Sequence, residues 1–381
     1  MFHRTICFLW LVSLLILLGG CERKDGEATG NSLVGNQSQV VNLIFTFGSE
    51  KEEWVEAVTT DFNQRKMKAT GGKVIQVTSL RRDSAICLDE LMEGSTKAHL
   101  TSPASSAYIK SGNAEWRTRT GKDLIPATES LLRSPVVIVL WQQMAETMGW
   151  GKQPVGWAEI HGLIADPQGW GKHGIPGWGK FIYGHTNPES SSSGLFALVS
   201  EVSAAAGKPS GLTVEDLARP EVARFVGDIE AAVTHSGNTT ASLARKMFSE
   251  GPAYVHAIPL YESMLIKNYT GKTPPKAPFV AIYPKEGTFG SDHPVGSVDR
   301  EWVAAEHREA ARAYVDFLLA REQQEKAMTF GFRPARAEVP LVAPLDPAHG
   351  VNPQEPQTTI EVPSAEVMKA MMKFWEQSKN R

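Results

Sequence analysis

Two spacings of apolar residues recur along the chain and alternate with each other. Residues 41–47 place Val, Leu and Phe at every second position, which is the pattern of a strand with one buried face. Residues 136–140 are all apolar, as expected of a strand buried on both faces of an α/β sheet. Residues 54–62 and 303–318 carry apolar residues at helical spacing. This alternation predicts α/β layers with largely parallel sheets.

One predicted turn between a strand and a helix is crowded with hydroxyl groups. Residues 184–195, GHTNPESSSSGL, separate the apolar run 181–183 from a helix-like run that begins at Leu195. Free backbone N–H groups at a helix start, helped by the helix dipole and by flanking hydroxyls, can hold a small anion or a polar head group. The alternative is that one serine caps the helix while the others populate a surface loop.

Two earlier segments repeat this chemistry. Residues 101–106, TSPASS, place a proline near a predicted helix start among several hydroxyls. Ser49 follows the first strand and is a plausible N-cap, with the acidic residues Glu52 and Glu53 in the first helical turn. The chain therefore offers three hydroxyl-bearing helix starts.

The N-terminus predicts export. His3 and Arg4 precede an apolar run at residues 6–18 that is too short for a stable membrane-spanning helix, so residues 1–20 are interpreted as a signal peptide. The sequence Leu-Gly-Gly-Cys that ends at Cys21 resembles the bacterial lipobox, in which cleavage exposes the cysteine for acylation. A plain secreted protein is the alternative. Residues 21–39 are polar and are predicted to be a flexible tether.

Composition narrows the choice of partners. The 381 residues are enough for about two domains, and 42% hydrophobic with 21% charged residues is typical of a globular protein. A net charge of −3 with mixed signs and no long basic run gives no reason to expect nucleic acid. Cys7 would leave with the signal and Cys21 would carry lipid, so Cys87 has no partner for an internal disulfide. Small molecules or proteins are the expected partners.

Motifs for catalysis, nucleotides and metals are weak. Residues 174–180, GIPGWGK, have most of the phosphate-loop spacing, but Phe181 stands where Ser or Thr should reach magnesium. The chain contains neither a Gly-x-Ser-x-Gly elbow nor a His-Glu-x-x-His pair. We therefore predict no enzyme activity, no cofactor and no metal site. Glu50, Glu262 and Glu286 could still meet in a cleft, although the favoured interpretation of Glu262 is a helix-start carboxylate stabilised by the helix dipole.

Several segments together resemble bacterial extracellular solute-binding lipoproteins of the type II periplasmic-binding-protein fold, which feed ABC importers. The segments, in chain order, are 46–51 with Trp54, 102–106, 134–138, 185–188 with the serines that follow, 281–288, and 331–334. The likeness covers most residues from 40 to about 335. It implies an α/β protein of two lobes, each a mixed sheet flanked by helices, with a ligand cleft between them.

The resemblance also implies a division of the chain. The first lobe would comprise residues 40–134 and a return segment 283–340, and the second lobe would comprise residues 135–282. Residues 341–381 match no pattern of the family and are predicted to be a tail with a docked helix.

The function implied is capture of a small polar solute by a monomer on the outer side of the membrane, anchored there by lipid on Cys21 and docking on an ABC permease. The residues expected to bind the solute come from helix starts and from the return segment: Ser49, Glu50, Ser102, Ser105, Ser106, Asn187, Ser191, Ser193, Gly194, Glu262 and Tyr283. Ser190 and Ser192 are interpreted as ordinary turn residues.

Two questions stay open at the level of sequence. A lining rich in hydroxyls favours an oxyanion bound by dipoles, whereas the three glutamates favour a cationic or metal-bearing solute. The same fold could also serve as a ligand sensor, or as a partner of an envelope protein, without transport.

Overall fold

The computed structural model describes residues 39–237, 239–271 and 275–378. The predicted signal peptide, the lipid site Cys21 and almost all of the predicted tether lie outside the described residues.

Strands and helices alternate through most of the chain. The strands are β1 (Val40–Gly48), β2 (Val74–Arg82), β3 (Leu100–Ser102), β4 (Thr128–Ser130), β5 (Leu132–Trp141), β6 (Tyr183–Thr186), β7 (Val233–Gly237), β8 (Ala257–Tyr261), β9 (Phe279–Ile282), β10 (Thr288–Ser291), β11 (Pro294–Ser297), β12 (Arg333–Pro334) and β13 (Thr359–Ile360). The helices are α1 (Glu52–Gln64), α2 (Ser84–Glu93), α3 (Ser106–Thr120), α4 (Gln142–Thr147), α5 (Trp157–Ala165), α6 (Ser192–Ala206), α7 (Val214–Leu217), α8 (Pro220–Ala231), α9 (Thr240–Glu250), α10 (Glu262–Thr270), α11 (Ala305–Leu319), α12 (Arg321–Thr329) and α13 (Ala365–Ser378).

A five-stranded sheet has the order β2-β1-β3-β11-β4. β1 is parallel to β2 and β3, and β11 runs antiparallel to β3 and β4. The apolar positions of β1, Leu43 and Phe45 among them, share one buried cluster with residues of α1 and α11. Cys87, Ile109 and other residues of α2 and α3 form a separate buried cluster, against which Ile44 of β1 packs. The strand predicted for residues 41–47 is confirmed, but helices pack against both of its faces rather than one.

A second sheet of eight strands is built around β5. β5 pairs antiparallel with β8, β9, β10 and β12, whereas β6 is parallel to β7 and β8. Residues 136–140 are all buried, which confirms the prediction of a strand covered on both faces. The pairing is more mixed than the alternation of strands and helices predicts, because sequential spacing carries no information on strand direction. The α/β class with mixed sheets flanked by helices is confirmed.

The chain returns from the second sheet to the first between β10 and β11. β10 pairs with β5 in the eight-stranded sheet, and β11 pairs with β3 in the five-stranded sheet, so Asp292 and His293 make the crossing. The sequence analysis predicts that the chain returns to the first lobe earlier, at residue 283. In the tail, β13 extends the second sheet beside β10, and α13 packs against α3, α7 and α8. The boundaries of the lobes themselves stay a prediction.

A buried acidic pair lies between α6 and α8. Glu201 on α6 is fully buried, and the hydroxyl of Tyr183 donates to its Oε1 at 3.4 Å. Burial, followed by the nearby charge of Glu230, raises the pKa of Glu201 well above its ordinary value of 4.5. The folded protein therefore holds a proton on Glu201 that the unfolded chain releases at neutral pH.

This proton makes stability fall as pH rises. Below pH 4.5, the ordinary pKa, Glu201 is protonated in both the folded and the unfolded protein. Above it only the folded protein keeps the proton, so unfolding releases it. The free energy of unfolding therefore falls by about 1.4 kcal/mol for each pH unit, up to the raised pKa. We expect Glu201→Gln to be more stable than the wild type at about pH 8 and the gain to shrink toward about pH 5. Denaturant unfolding at both pH values measures this difference. Glu129→Gln, at an exposed position, is the control; equal pH slopes for all three proteins would contradict the prediction.

Candidate functional site

The predicted turns all follow the carboxyl ends of strands. Ser49 comes after β1, Ser105 shortly after β3, the serine-rich turn after β6, and Glu262 directly after β8. In α/β sheets ligands bind in the crevice outside the carboxyl ends of the strands, where helix starts point their N–H groups. The topology therefore gathers helix starts from both sheets at one place.

Two contacts join these strand ends across the two sheets. Tyr108 of α3 and Ser192 at the start of α6 share a hydrogen bond of 2.7 Å between their hydroxyl oxygens. The rings of Tyr261, the last residue of β8, and His293 are 6.1 Å apart. We use the word cleft for the region where the following residues of the two sheets converge: Glu50, Lys51, Ser102, Tyr108, Ser192, Tyr261 and His293.

The first wall of the cleft holds a neutralised charge pair. Lys51 is 1% exposed; its Nζ lies 2.5 Å from Glu50 Oε1 and donates to the carbonyl of Pro103 at 3.3 Å. His293 Nδ1 donates to the same Glu50 oxygen at 3.2 Å. Burial would raise the pKa of Glu50, but Lys51 and His293 together outweigh it and lower the pKa to about 2. Burial lowers the pKa of His293, so the imidazole stays neutral.

Two hydroxyls of the cleft are buried and make no hydrogen bond to any described residue: Ser102 Oγ and Tyr261 Oη. Tyr261 lies near the Ser192 hydroxyl, but outside hydrogen-bond geometry. Burial raises the pKa of Tyr261 well above its ordinary value, so its hydroxyl keeps its proton and can donate. Buried polar groups are nearly always satisfied, so such a pair of hydroxyls is expected to find partners in a bound molecule or in water.

The serine-rich turn is held together by its own hydroxyls. Ser193 Oγ lies 2.9 Å from Thr186 Oγ1 and 2.7 Å from Thr240 Oγ1, and Ser191 Oγ lies 3.2 Å from the same Thr240 oxygen. Asn187 accepts from the backbone N–H of Glu189 at 2.9 Å. The predicted residues of this turn thus fix its shape. Ser192, which is interpreted from the sequence as an ordinary turn residue, is the serine of this turn that contacts Tyr108.

The serines of the first sheet have different neighbours. Ser105 accepts from the backbone N–H of Ala107 at 3.2 Å as the N-cap of α3, and the backbone N–H of Ser106 donates to Asp292 at 2.8 Å. The prediction that Ser49 is an N-cap is wrong, because a short 3-10 turn precedes α1 and Lys51 occupies the N-cap position. Ser49 is exposed and lines a cavity of about 80 Å³ together with Ser263 and Lys267 of α10. Of the three, Ser105 is buried beside the cleft.

Glu262 and Tyr283 meet each other, but in a structural ion pair. Arg333 donates from Nε and Nη2 to the two carboxylate oxygens of Glu262, each at 2.7 Å, and the Tyr283 hydroxyl donates to Oε2. Glu286 accepts instead from the N–H groups of Trp157 and Ala158 at the start of α5. The three glutamates considered from the sequence therefore have separate partners. Among the described residues no group of three His, Cys, Asp or Glu is placed to hold a metal ion.

Sequence reasoning missed Lys51, Tyr108, Tyr261 and His293 in the cleft. Tyr261 carries the same signal as the predicted serines, because it stands between a strand and a helix start, and Lys51 adjoins a predicted turn. Nothing in the local pattern singles out Tyr108 or His293, whose positions depend on the packing of α3 and on the crossing between the sheets.

Residues 45–333 match the profile of the bacterial extracellular solute-binding protein family. The chain belongs to this family. Membership indicates a solute-binding protein that works outside the cytoplasm, and the predicted type II periplasmic-binding-protein fold is confirmed. Within the described part of the chain, every helix is too short or too polar to span a bilayer.

Solved structures share this fold at low sequence identity. A periplasmic thiamin binding protein superposes with a TM-score of 0.60 at 15% identity, over 91% of this chain and 98% of that chain. The ferric binding protein from Campylobacter jejuni gives 0.59 at 13% identity, over 88% and 99%. The periplasmic binding protein AfuA from Actinobacillus pleuropneumoniae, with fructose-6-phosphate bound, gives 0.55 at 13%, over 89% and 97%. No curated protein matches the sequence closely.

Removing the Glu50 charge should destabilise the protein strongly. Glu50→Gln leaves Lys51 buried without a counter-charge, which costs about 3 to 5 kcal/mol of unfolding free energy. Because the pKa of Glu50 is lowered, the wild-type advantage is present above its ordinary value of 4.5 and is lost as pH falls toward about 2. Urea unfolding near neutral pH measures the loss. Glu53→Gln, at an exposed position, is the control, and a similar small change in both variants would show that the Glu50 pair is not needed.

Gly194 should tolerate no side chain. A Cβ on Gly194 would lie 2.0 Å from the carbonyl oxygen of Thr186, whereas a Cβ on Gly162 in α5 has no heavy atom within 4 Å. We expect Gly194→Ala to cost about 1 to 3 kcal/mol through overpacking and Gly162→Ala to gain up to about 1 kcal/mol through helix propensity. Thermal unfolding of the two variants compares them directly, and a Gly194→Ala protein as stable as Gly162→Ala would contradict the close packing of α6 on β6.

Proposed function

We propose that this protein captures a small polar solute in the cleft, with a preference for an oxyanion, and presents it to the permease of an ABC importer. The observation that carries the proposal is the pair of buried hydroxyls, Ser102 and Tyr261, that lack partners among the described residues where helix starts of both sheets converge. The two belong to different sheets, so one molecule between them would contact both.

The charge of the cleft supports an oxyanion held by dipoles. Lys51 is neutralised by Glu50, and His293 is neutral, so the cleft contributes no net formal charge. Hydroxyl donors remain, together with the start of α6; the first N–H groups of α3 already donate to Asp292 and to Ser105. A helix start and neutral donors can bind an anion without a formal positive charge.

Contact with both sheets supports a role in transport. A solute stabilises the closed form only to the extent that it binds that form more tightly, and a closed form with solute is what a permease can distinguish from the empty protein. The Tyr108–Ser192 hydrogen bond joins helices of the two sheets, so closing around a solute would act on this bond. In this proposal the protein is a monomer without catalytic activity, and lipid on Cys21 holds it at the membrane.

The neighbouring structures leave the class of solute open. The solutes named for these proteins are thiamin, ferric ion and fructose-6-phosphate, which differ in charge. A cationic or metal-bearing solute is the second candidate, because Glu50 and two tyrosine hydroxyls border the cleft. Use of the same cleft for sensing, or for binding an envelope protein, is the alternative to transport.

Calorimetry of the purified protein tests the proposal. We expect sulfate, phosphate or molybdate to bind more tightly than chloride, and Tyr261→Phe or Ser102→Ala to weaken that binding about tenfold or more, the effect of losing a hydrogen bond to a charged group. Tyr314→Phe is the matched control, since its hydroxyl is buried on α11, 2.6 Å from Thr59 and remote from the cleft.

Three results would contradict parts of the proposal. If spermidine or ferric citrate binds at micromolar level while the oxyanions bind no better than chloride, the preferred class of solute is wrong. If Tyr314→Phe weakens binding as much as Tyr261→Phe, the cleft is not the binding site. If binding is intact but the solute does not stimulate ATP hydrolysis by any importer encoded beside this protein, sensing is favoured over transport.

A further inference from the structure

The C-terminal segment lies beyond the residues matched by the family, which end at 333, and yet it contacts both halves of the fold. α13 packs against α7 and α8, which flank the second sheet, and against α3, which packs on α2 beside the first sheet. Lys110 of α3 donates from Nζ to the carbonyl of Val362 at 3.2 Å. The residues of this tail, which lie outside the matched segment, therefore add contacts to both halves.

A continuous path of hydrogen bonds runs from α13 to the serine-rich turn. The indole Nε1 of Trp375 donates to Glu230 Oε2 at 2.9 Å, and the same oxygen lies 3.1 Å from His185 Nε2. His185 Nδ1 donates to the carbonyl of Thr186 at 2.7 Å. Thr186 then binds Ser193 through its hydroxyl at 2.9 Å.

The path is buried throughout, which makes each of its links costly to break. Trp375 is 2% exposed and His185 is 4% exposed, and the other oxygen of Glu230 has no partner among the described residues. Without the indole N–H, the Glu230 carboxylate loses a donor that water cannot easily replace. His185 then loses a fixed partner, and with it the restraint on the Thr186 carbonyl.

We infer that Trp375 is a positioning residue for the serine-rich turn, and that α13 acts on residues 184–195 through Glu230 and His185. This inference rests on the proposed function of that turn. Trp375 binds Glu230 of α8 and need not touch the solute; through Glu230 and His185 it sets the orientation of the peptide against which Gly194 packs at the start of α6.

Hydrogen exchange measured without any solute tests the inference. The N–H groups of Ser190 and Ser191 donate to the carbonyl of Asn187 at 3.2 and 2.9 Å, so they report on the turn. We expect Trp375→Phe to speed their exchange about tenfold, the effect of losing one hydrogen bond to a charged group. Trp302→Phe is the matched control, because its indole donates to the carbonyl of Ala98 at 2.9 Å on the side of the first sheet.

Glu230→Gln provides a second variant that leaves the packing of α13 in place. The inference predicts faster exchange in the turn for both Trp375→Phe and Glu230→Gln, and no change there for Trp302→Phe. It is overturned if Trp375→Phe speeds exchange only within α13. If Trp375→Phe speeds exchange everywhere through general destabilisation, Glu230→Gln decides, and an unchanged turn in that variant overturns the inference.

Titration with sodium sulfate separates this inference from the proposed function. Both the proposed function and the positioning role are supported if the wild type binds sulfate and if Tyr261→Phe and Trp375→Phe weaken this binding while Trp302→Phe does not. Wild-type protein that binds no sulfate counts against the proposed preference for an oxyanion, while the exchange data still decide whether α13 positions the turn. Sulfate binding that is equal in Trp375→Phe and Trp302→Phe counts against the positioning role alone.

Discussion

The bidentate pair between Arg333 and Glu262 is the constraint that fixes how the parts of this fold meet. Glu262 is fully buried at the first position of α10, and Arg333 lies in β12, beside the start of β5. Two charges taken out of water are tolerable only with good geometry and additional hydrogen bonds, and here Tyr283 donates to Glu262 while Arg333 also donates to the carbonyls of Asn352 and Pro353. The start of α10, the end of β9 and the tail are thereby tied to one guanidinium.

This constraint also fixes one side of the cleft. Once α10 is fixed, the end of β8 is fixed with it, and the ring of Tyr261 lies 6.1 Å from the ring of His293. Donors that sit on rigid elements can meet a solute with little loss of conformational entropy. The serine-rich turn follows the same logic, because Thr186, Ser193 and Thr240 bind one another and hold the start of α6 against β6.

Sequence patterns predict the strands and helices of this fold well because they report which residues are buried. They predict the site less well because they do not report the direction in which strands pair or which distant residues meet. The spacing in residues 41–47 and the apolar run at 136–140 each correspond to a strand, and the hydroxyl-rich turns lie at strand ends as expected. The direction of β5 against its neighbours depends on crossings that no local pattern records. For the same reason Glu262 could be recognised as a helix-start carboxylate, but its partner Arg333 could not be found, since the two are 71 positions apart. His293 enters the cleft only because the chain crosses between β10 and β11.

The cancelled charge of Lys51 has a consequence for kinetics. A cleft with net formal charge attracts oppositely charged molecules over distances of roughly 10 Å in physiological salt and so raises their rate of encounter. Here the carboxylate of Glu50 cancels the charge of Lys51, and the dipoles that remain act only at short range. In the proposed role, encounter with solute is then unassisted diffusion that depends little on ionic strength. Selectivity would come from size and hydrogen-bond geometry inside the cleft, which suits a protein that must ignore the abundant ions around it.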